Sequence, residues 1–251
     1  MRSNSIIKLA LCLFVMVAGP ISVSGQAQPQ ISLASVDEIV AKYEKAVGGK
    51  AAFEKLTSRV SKGSFVLGDA GSAGTIEIYQ KAPNKMVTIT DVPGFGVVRS
   101  GVDGTVAWMD MPQFGIQELT GDTAAASKRG ADFYEDIRLK EIYPKMVVKD
   151  KESFEGHDVY VVQATPAEGA PGLLSFDADS GLLVRSQTQM NGPMGPIDID
   201  TRLSDYREVD GIKLPFVINQ VRSDFSFTIK LTEVEHNVPI DDAKFEKPKS
   251  Q

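Results

Sequence analysis

Residues 197–235 constrain the fold more than any other stretch, because they hold three long runs in which apolar and polar residues alternate. The first run places Ile197 and Ile199 on one side and Asp198 and Asp200 on the other. Alternation with a period of two is typical of a β-strand that has one dry face and one solvated face. We therefore expect three consecutive strands whose apolar face must be covered by another part of the chain.

A tight turn joins the first two runs. Asp210 and Gly211 separate them, and an Asp-Gly pair between apolar-patterned runs is a strong hairpin signal because both residues accept positive φ angles. Beyond the turn, six bulky apolar residues of the second and third runs are expected on the covered face. They are Phe216, Ile218, Phe225, Phe227, Ile229 and Leu231.

The N-terminus has the features of a secretory signal peptide. Two basic residues, Arg2 and Lys8, come before an apolar run at 9–18, and small residues follow it. The run is too short to cross a bilayer as a stable helix. We expect a signal peptide at 1–27, a tether at 28–34 and an exported mature protein. Its first expected location is the periplasm, and secretion from the cell is the second.

Cysteine usage and charge exclude several classes of function. The only cysteine, Cys12, lies inside the predicted signal peptide, so the mature chain has no thiol for a disulfide, a nucleophile or a metal site. The chain holds 27 basic and 33 acidic residues, which gives a formal net charge of -6. An acidic chain without a basic block is a poor partner for nucleic acid, so we expect no nucleic-acid binding.

A helix precedes the first strands. Ser35 and Glu38 have the spacing of a capping box, and an apolar stripe with helical spacing follows until Gly48 and its neighbouring glycine end the helix. From residue 59 to residue 121 the period changes to two, and turn residues separate six strand candidates. This pattern predicts an antiparallel meander.

A second helical segment, residues 123–142, interrupts the β pattern before further strands follow. A sheet of about eleven strands cannot remain flat, so it twists and curls into a barrel or part of one. We expect a mainly β chain with helices (α+β), built as a curved, half-open antiparallel β-barrel of about eleven strands. An N-terminal helix and a mid-chain lid helix cover the barrel, in a single domain at 35–247 with a tail at 248–251.

Three stretches carry a resemblance to a known family, and all three are turns or helix ends. They are residues 46–52, residues 176–183 and residues 205–215. Together with the order of elements, they resemble the outer-membrane lipoprotein-sorting proteins of the LolA/LolB-like periplasmic fold, in a less characterised branch. The resemblance implies an incomplete barrel that helices close and whose concave inner surface holds acyl chains.

The resemblance also implies an inward-pointing arginine that holds the lid closed. Five arginines lie in predicted strands or at their ends, and the sequence singles out none of them. They are Arg59, Arg99, Arg185, Arg202 and Arg222.

Motifs for catalysis or metal binding have no local support. His157 and His236 lie beside turns or strand ends without clustered ligands, so we expect surface histidines. The spacing of Asp177 and Asp179 matches the start of a calcium-binding loop. The distal glutamate of such a loop is missing, so a hairpin turn is the better interpretation. No serine stands in a Gly-x-Ser-x-Gly elbow. We therefore predict no enzyme activity, no cofactor and no metal site.

Three loops rich in glycine, proline, methionine and phenylalanine are the most suggestive functional feature, at residues 92–96, 109–115 and 190–196. Apolar, adaptable loops at strand ends could rim the mouth of a cavity, and methionine suits irregular apolar ligands. The alternative is that they are ordinary hairpin loops folded onto the end of the barrel. The candidate ligand-binding residues of this region are Trp108, Met111 and Phe114.

The sequence supports two functions. The first is an exported, non-enzymatic carrier or binder of a hydrophobic ligand in the bacterial cell envelope, with the acyl chains of a lipid or lipoprotein as its partner. A movable lid at 123–142 would admit the ligand to a monomeric carrier, and a membrane-bound envelope partner is a further expectation. The alternative is an envelope interaction or assembly module whose barrel is filled and holds no ligand.

Overall fold

One sheet of 13 strands dominates the chain. The computed structural model describes residues 33–68, 73–192, 195–223 and 225–249. The predicted signal peptide, nearly all of the predicted tether and the end of the predicted tail lie outside the described residues. None of the helices within these ranges is long and apolar enough to cross a bilayer.

The helices and strands have the following bounds. The strands are β1 (Ser58–Leu67), β2 (Ala73–Lys81), β3 (Lys85–Val92), β4 (Gly96–Val102), β5 (Ala107–Met111), β6 (Gly115–Glu118), β7 (Lys145–Phe154), β8 (His157–Thr165), β9 (Gly172–Asp177), β10 (Leu183–Gly192), β11 (Gly195–Val209), β12 (Ile212–Arg222) and β13 (Ser226–His236). The α-helices are α1 (Val36–Ala46), α2 (Lys50–Phe53), α3 (Gly121–Gly130) and α4 (Leu139–Ile142), and short 3-10 helices lie at Glu135–Ile137 and Asp242–Lys244.

The strand order divides the sheet into two antiparallel meanders. β1 to β6 run from the centre to one edge, and β7 to β13 return from the other edge until β13 pairs with β1. β6 and β7 are the edge strands and do not pair with each other, so the predicted half-open α+β architecture is confirmed. The sheet has more strands than the predicted eleven. One reason is that Lys145–Phe154 forms a full strand around a bulge between Val148 and Asp150, where the alternation breaks.

The three organising strands β11, β12 and β13 have the predicted arrangement. In the turn between β11 and β12, Asp210 has a φ of 51° and Gly211 a φ of 84°. Both angles are positive, as a type I′ turn requires, so the hairpin prediction is confirmed. Leu203 lies opposite Ile218, and Ile218 lies opposite Ile229. These pairs form an apolar row on one face of the sheet.

Helix α1 covers part of one face of the sheet, which we call the inner face. Ser35 and Glu38 form the predicted capping box, since the Ser35 hydroxyl accepts from the Glu38 N–H and the Glu38 carboxylate accepts from the Ser35 N–H. The predicted apolar stripe of the helix is buried against β8, β9 and β12. The principal residues of this contact are Ile39, Val40, Tyr43, Val162, Leu174 and Ile212.

Residues 121–142, which we call the lid segment, are not the single helix that the sequence suggested. They form α3, a 3-10 helix and α4. The chain leaves helical geometry after α3 because the Phe133 N–H donates to the Pro83 carbonyl at 2.9 Å. In addition, the Tyr134 N–H donates to the Asp132 carboxylate at 2.9 Å. Both bonds take the place of helical ones, and the first anchors the middle of the lid segment to the turn between β2 and β3.

The two halves of the lid segment differ in burial. No side chain of α3, which lies entirely within the described part of the chain, is buried. Further along, Phe133 and Leu139 are 4% and 3% exposed and pack in the same cluster as α1. α3 is therefore the loosely held half of the lid segment.

The C-terminal segment, residues 237–249, covers the opposite, outer face of the first meander. Ile240 and Phe245 pack against Val60, Val87 and Trp108, which point away from the inner face. The Trp108 indole donates to the Phe245 carbonyl at 2.9 Å, and the Phe245 side chain is 0% exposed. The chain after β13 therefore belongs to the packed domain.

We predict that Gly48→Ala destabilises the fold by about 2–4 kcal/mol, because the site combines a left-handed backbone with a close approach. Gly48 has a φ of +119°, and a Cβ there would collide with the Gly211 carbonyl oxygen. Urea unfolding measures the effect. The matched control is Gly130→Ala, where a Cβ meets nothing within 4 Å and helix propensity predicts a stability gain of up to about 1 kcal/mol. Equal unfolding midpoints for the two variants would contradict the docking role of Gly48.

Candidate functional site

An interior cavity of 320 Å³ lies between the inner face of the sheet, helix α1 and the lid segment. Its volume is at the lower end of the range of about 300–1,000 Å³ that is usual for small-molecule sites. Part of its lining is apolar and continues the row formed by the organising strands. The main apolar residues of the lining are Ile78, Leu174, Leu203, Leu214, Ile218 and Leu231.

The remaining lining is polar and is centred on Arg59 of β1. The Arg59 Nε donates to Gln80 Oε1 at 2.8 Å, and the guanidinium carbon lies 5.6 Å from the ring centroid of Phe133 in the lid segment. Burial lowers the pKa of Arg59, and the charge of Asp136 opposes this shift. Among the five arginines that the sequence left open, Arg59 is the one that both lines the cavity and contacts the lid segment.

Two carboxyl groups of the lid segment, Glu135 and Asp136, also line the cavity. The Tyr43 hydroxyl donates to Asp136, and burial together with this carboxylate raises the pKa of Tyr43. Burial raises the pKa of Glu135 to about 8, and the charges of Asp136 and Asp132 add to the shift. Glu135 is therefore mostly protonated at neutral pH and can donate a hydrogen bond.

Two further tyrosines complete the polar lining. Burial raises the pKa of Tyr143 to about 12 and also raises the pKa of Tyr206. The Tyr206 hydroxyl donates to the Leu183 carbonyl at 2.6 Å. Both hydroxyls stay protonated at neutral pH, so they present neutral hydrogen-bonding groups to the cavity.

The six strand residues predicted to bind ligand fall into three places. Ile218 and Leu231 line the cavity. Phe216, Phe227 and Ile229 pack with them in one apolar cluster on the same part of the sheet. The sixth, Phe225, is 41% exposed and stacks on a neighbouring ring with centroids 6.0 Å apart. The structure therefore brings the predicted wall together, and its role in binding stays a prediction.

The three remaining predicted residues do not line the interior cavity. Trp108 is 1% exposed and lies on the outer face beneath the C-terminal segment. The prediction failed because alternation alone does not reveal which face of a strand becomes the inner one. Met111 lies where β5 turns into β6, and Phe114 in that turn is 63% exposed. Both residues lie where β5 ends, away from the cavity.

The three loops singled out in the sequence lie at the same edge of the sheet. Successive strands are antiparallel, so the turns after β1, β3, β5, β10 and β12 all lie at the same end of the strands. We call this end of the sheet the upper edge, which is distinct from the edge strands β6 and β7. Phe95 and Phe114 are 37% and 63% exposed there, and Phe225 follows β12 at this edge. The loop at 190–196 lies partly outside the described residues. Whether these loops rim a mouth stays a prediction.

The expectation of a surface position was wrong for His236. Its side chain is 2% exposed, and its Nδ1 lies 2.9 Å from the Asp210 carboxylate. Burial lowers the pKa of His236, and the charge of Arg59 adds to the shift while Asp210 opposes it. The side chain is covered because β13 pairs with β1 at this point, which a local pattern does not reveal. The side chain of His157 is 69% exposed, as expected.

Sequence reasoning missed the polar part of the lining. Arg59 and Ser61 occupy alternate positions of β1, so their shared face was available as a signal. The pairing that turns this face into a cavity wall was not available. Arg59 lies opposite Gln80 on β2, and Ser61 lies opposite Val234 on β13, which is far away in sequence.

A larger groove of 610 Å³ crosses the outer face of β8 to β12. Two pairs of polar side chains meet there, since Gln189 donates to Asp198 at 2.8 Å and Arg185 pairs with Asp200 at 2.8 Å. The groove is lined by the sheet and its turns alone, whereas helix α1 and the lid segment also line the interior cavity. We therefore take the interior cavity as the candidate site.

Comparison with known proteins supports the fold. No family model and no curated protein sequence matches the chain. A DUF1329 family protein from Desulfovibrio piger is 15% identical with a TM-score of 0.58, over 84% of this chain and 97% of that chain. A putative outer membrane lipoprotein-sorting protein domain from Vibrio parahaemolyticus is 14% identical with a TM-score of 0.57, over 84% of this chain and 95% of that chain.

A LolA superfamily protein from Nitrosomonas europaea is also 14% identical with a TM-score of 0.57, over 86% of this chain and 99% of that chain. At such identities the likeness shows the fold alone. The chain therefore has the fold of LolA-like proteins, and the predicted resemblance is confirmed at that level.

We predict that Glu135 makes the fold less stable as pH rises from about 4.5 to about 8, because in this window the folded state holds a proton that the unfolded state releases. Glu135→Gln removes this dependence. Its loss of stability between about pH 5 and pH 9 should be smaller than that of the unchanged chain by about 1–3 kcal/mol.

Thermal or urea unfolding across this pH range measures the difference. The control is Glu141→Gln, which neutralises a carboxylate of the lid segment that is 66% exposed. If the Glu135 and Glu141 variants gave the same pH profile, Glu135 would not be the group that titrates.

Proposed function

We propose that this chain is an exported, non-enzymatic carrier or binder of a hydrophobic ligand in the bacterial cell envelope, with the acyl chains of a lipid or lipoprotein as cargo. The observation that carries the proposal is the cavity beneath the lid segment, whose apolar lining continues the row on β11, β12 and β13. Burial of apolar surface supplies roughly 25 cal/mol per Å², so one acyl chain can be held reversibly without covalent chemistry.

The solved structures that share the fold support the direction of this proposal. One is described as a lipoprotein-sorting protein domain and another as a LolA superfamily protein. Because these proteins resemble the chain in fold, the lipoprotein-sorting role named for the first of them favours a binding role rather than an enzymatic one. The predicted signal peptide favours export to the periplasm. There a membrane-bound envelope partner would deliver the cargo to the proposed monomer or receive it.

The proposed lid has one loosely held part, α3, which lies beside the part that lines the cavity. α3 has no buried side chain, and it is tied to the second meander by two exposed hydrogen bonds. Asn191 Nδ2 donates to Asp122 Oδ2 at 2.7 Å, and Arg129 donates to the Glu168 carbonyl at 2.6 Å. Ala124 of α3 also packs against the cluster of Val102 and Ala107 in the first meander. Opening would break the two bonds and this small apolar contact, while the buried Phe133 keeps the rest of the lid segment in place. α3 is thus the moving part of the proposed lid.

A second candidate is an envelope interaction module. Exposed aromatic side chains at the upper edge, Phe95 and Phe114, favour a protein partner at that edge. This module would need no ligand, so the two candidates differ in whether the cavity is occupied when the protein is isolated from cells.

Native mass spectrometry tests the carrier proposal. We expect the mature protein, purified from membrane-containing cells, to carry a discrete added mass that organic extraction removes. Extraction followed by added fluorescent fatty acid should restore a bound state. A clean mass of the protein alone, together with no uptake of the fluorescent fatty acid, would reject the carrier and favour the interaction module.

Filling the cavity should weaken binding. We predict that Ile218→Trp weakens uptake of a fluorescent fatty acid by about tenfold or more, since the larger side chain occupies the ligand space at an overpacking cost of about 1–3 kcal/mol. The matched control is Val221→Trp, which adds the same ring on the outer face of the same strand, where Val221 is 42% exposed. Unchanged uptake in a folded Ile218 variant would move the binding site out of this cavity.

A further inference from the structure

Three neighbouring side chains of β1 and β2 direct hydrogen-bond donors into the interior cavity. Ser61 and Gln80 are 4% and 9% exposed, and Arg59 lies opposite Gln80 in the register of the two strands. All three side chains line the cavity. Within the described residues, the terminal nitrogens of Arg59, the Gln80 Nε2 and the Ser61 Oγ have no hydrogen-bond partner. None of these donors is fully buried, and all of them face the cavity, where a bound ligand can accept from them.

The guanidinium group of Arg59 is fixed so that its terminal nitrogens remain available. Its Nε is engaged by Gln80, and its face lies over the ring of Phe133. Among the described carboxylates none forms an ion pair with Arg59, and the lid carboxylate of Asp136 accepts from Tyr43 instead. A guanidinium in this state presents a planar fork of N–H groups, which matches a carboxylate in a bidentate arrangement.

An apolar path leads away from the three donors. Ile78 follows Gln80 along the inner face of β2, and Leu231 lies on β13 beside it. Beyond them, Phe65 and Phe227 pack at a tilt of 32° with ring centroids 5.2 Å apart near the upper edge. Along β1, β2 and β13 the inner face is therefore polar near Arg59 and apolar from there toward the upper edge.

We propose, on the basis of the carrier function proposed above, that the ligand is a single-chain amphiphile with a carboxylate head group. Arg59 binds the carboxylate with its two terminal nitrogens, and Ser61 and Gln80 donate the remaining hydrogen bonds. The alkyl chain lies along Ile78 and Leu231 toward the upper edge. The cavity volume of 320 Å³ favours one chain over the several chains of a lipoprotein.

Competition between three head groups on one chain tests this assignment. Dodecanoic acid, dodecanol and methyl dodecanoate displace a neutral fluorescent probe, N-phenyl-1-naphthylamine, from delipidated protein at neutral pH. We expect the acid to bind about tenfold or more tightly than the alcohol and the ester, because its bonds to Arg59 are charge-assisted.

Gln80→Glu is the sharper of two variants. It keeps the shape of the side chain and gives Arg59 a carboxylate of its own, so the preference for the acid should disappear while the alcohol still binds. Arg59→Gln should have the same effect, and circular dichroism shows whether each variant is folded. Arg99→Gln is the matched control, because Arg99 lies on β4, outside the cavity, and pairs with Asp110 at 3.6 Å.

Each result decides between the proposals. A preference for the acid that is lost in the Gln80 and Arg59 variants but kept in the Arg99 variant supports the carboxylate site. Equal affinity for all three compounds, or a preference that survives in both variants, overturns the carboxylate site and leaves the carrier function standing. No displacement by any of the compounds, with no uptake of the probe itself, overturns the carrier function as well.

Discussion

The close docking of helix α1 onto two turns of the second meander is the constraint on which the rest of the structure depends. A Cβ at Gly48 would meet the Gly211 carbonyl, and a Cβ at Gly181 would lie 2.7 Å from Lys42 Cγ on the helix. Only glycine lets the backbones approach this far. These glycines belong to the three stretches that resemble the lipoprotein-sorting proteins, so the resemblance reflects how one helix is seated on a curved sheet.

The position of α1 determines where the cavity forms. The helix packs on β8, β9 and β12 and leaves the inner face of β1, β2 and β13 to the lid segment. The lid segment is joined to the helix by the bond from Tyr43 to Asp136 and to the sheet by Arg59 beneath Phe133. The space between the two covers is the cavity, because neither of them alone can fill a curved surface of this width.

Local signals in the sequence were sufficient for most of the elements, and long-range pairing decided the site. The hairpin at Asp210 and the capping box at Ser35 depend on adjacent residues, so they could be predicted. The inner position of Arg59 and the burial of His236 depend on the pairing of β1 with β13, which no short pattern encodes. Trp108 was misjudged for the same reason, since alternation identifies two faces of a strand but not which of them turns inward.

The two covers of the first meander differ in how they satisfy polar groups. On the outer face the Trp108 indole reaches the Phe245 carbonyl, and Lys81 reaches both the Ile240 carbonyl and the Asp242 carboxylate. On the inner face the donors of Arg59 remain open toward the cavity. These donors face the cavity and are not sealed from it, so a ligand or water can accept from them. That asymmetry supports the inner face as the one that receives the proposed ligand.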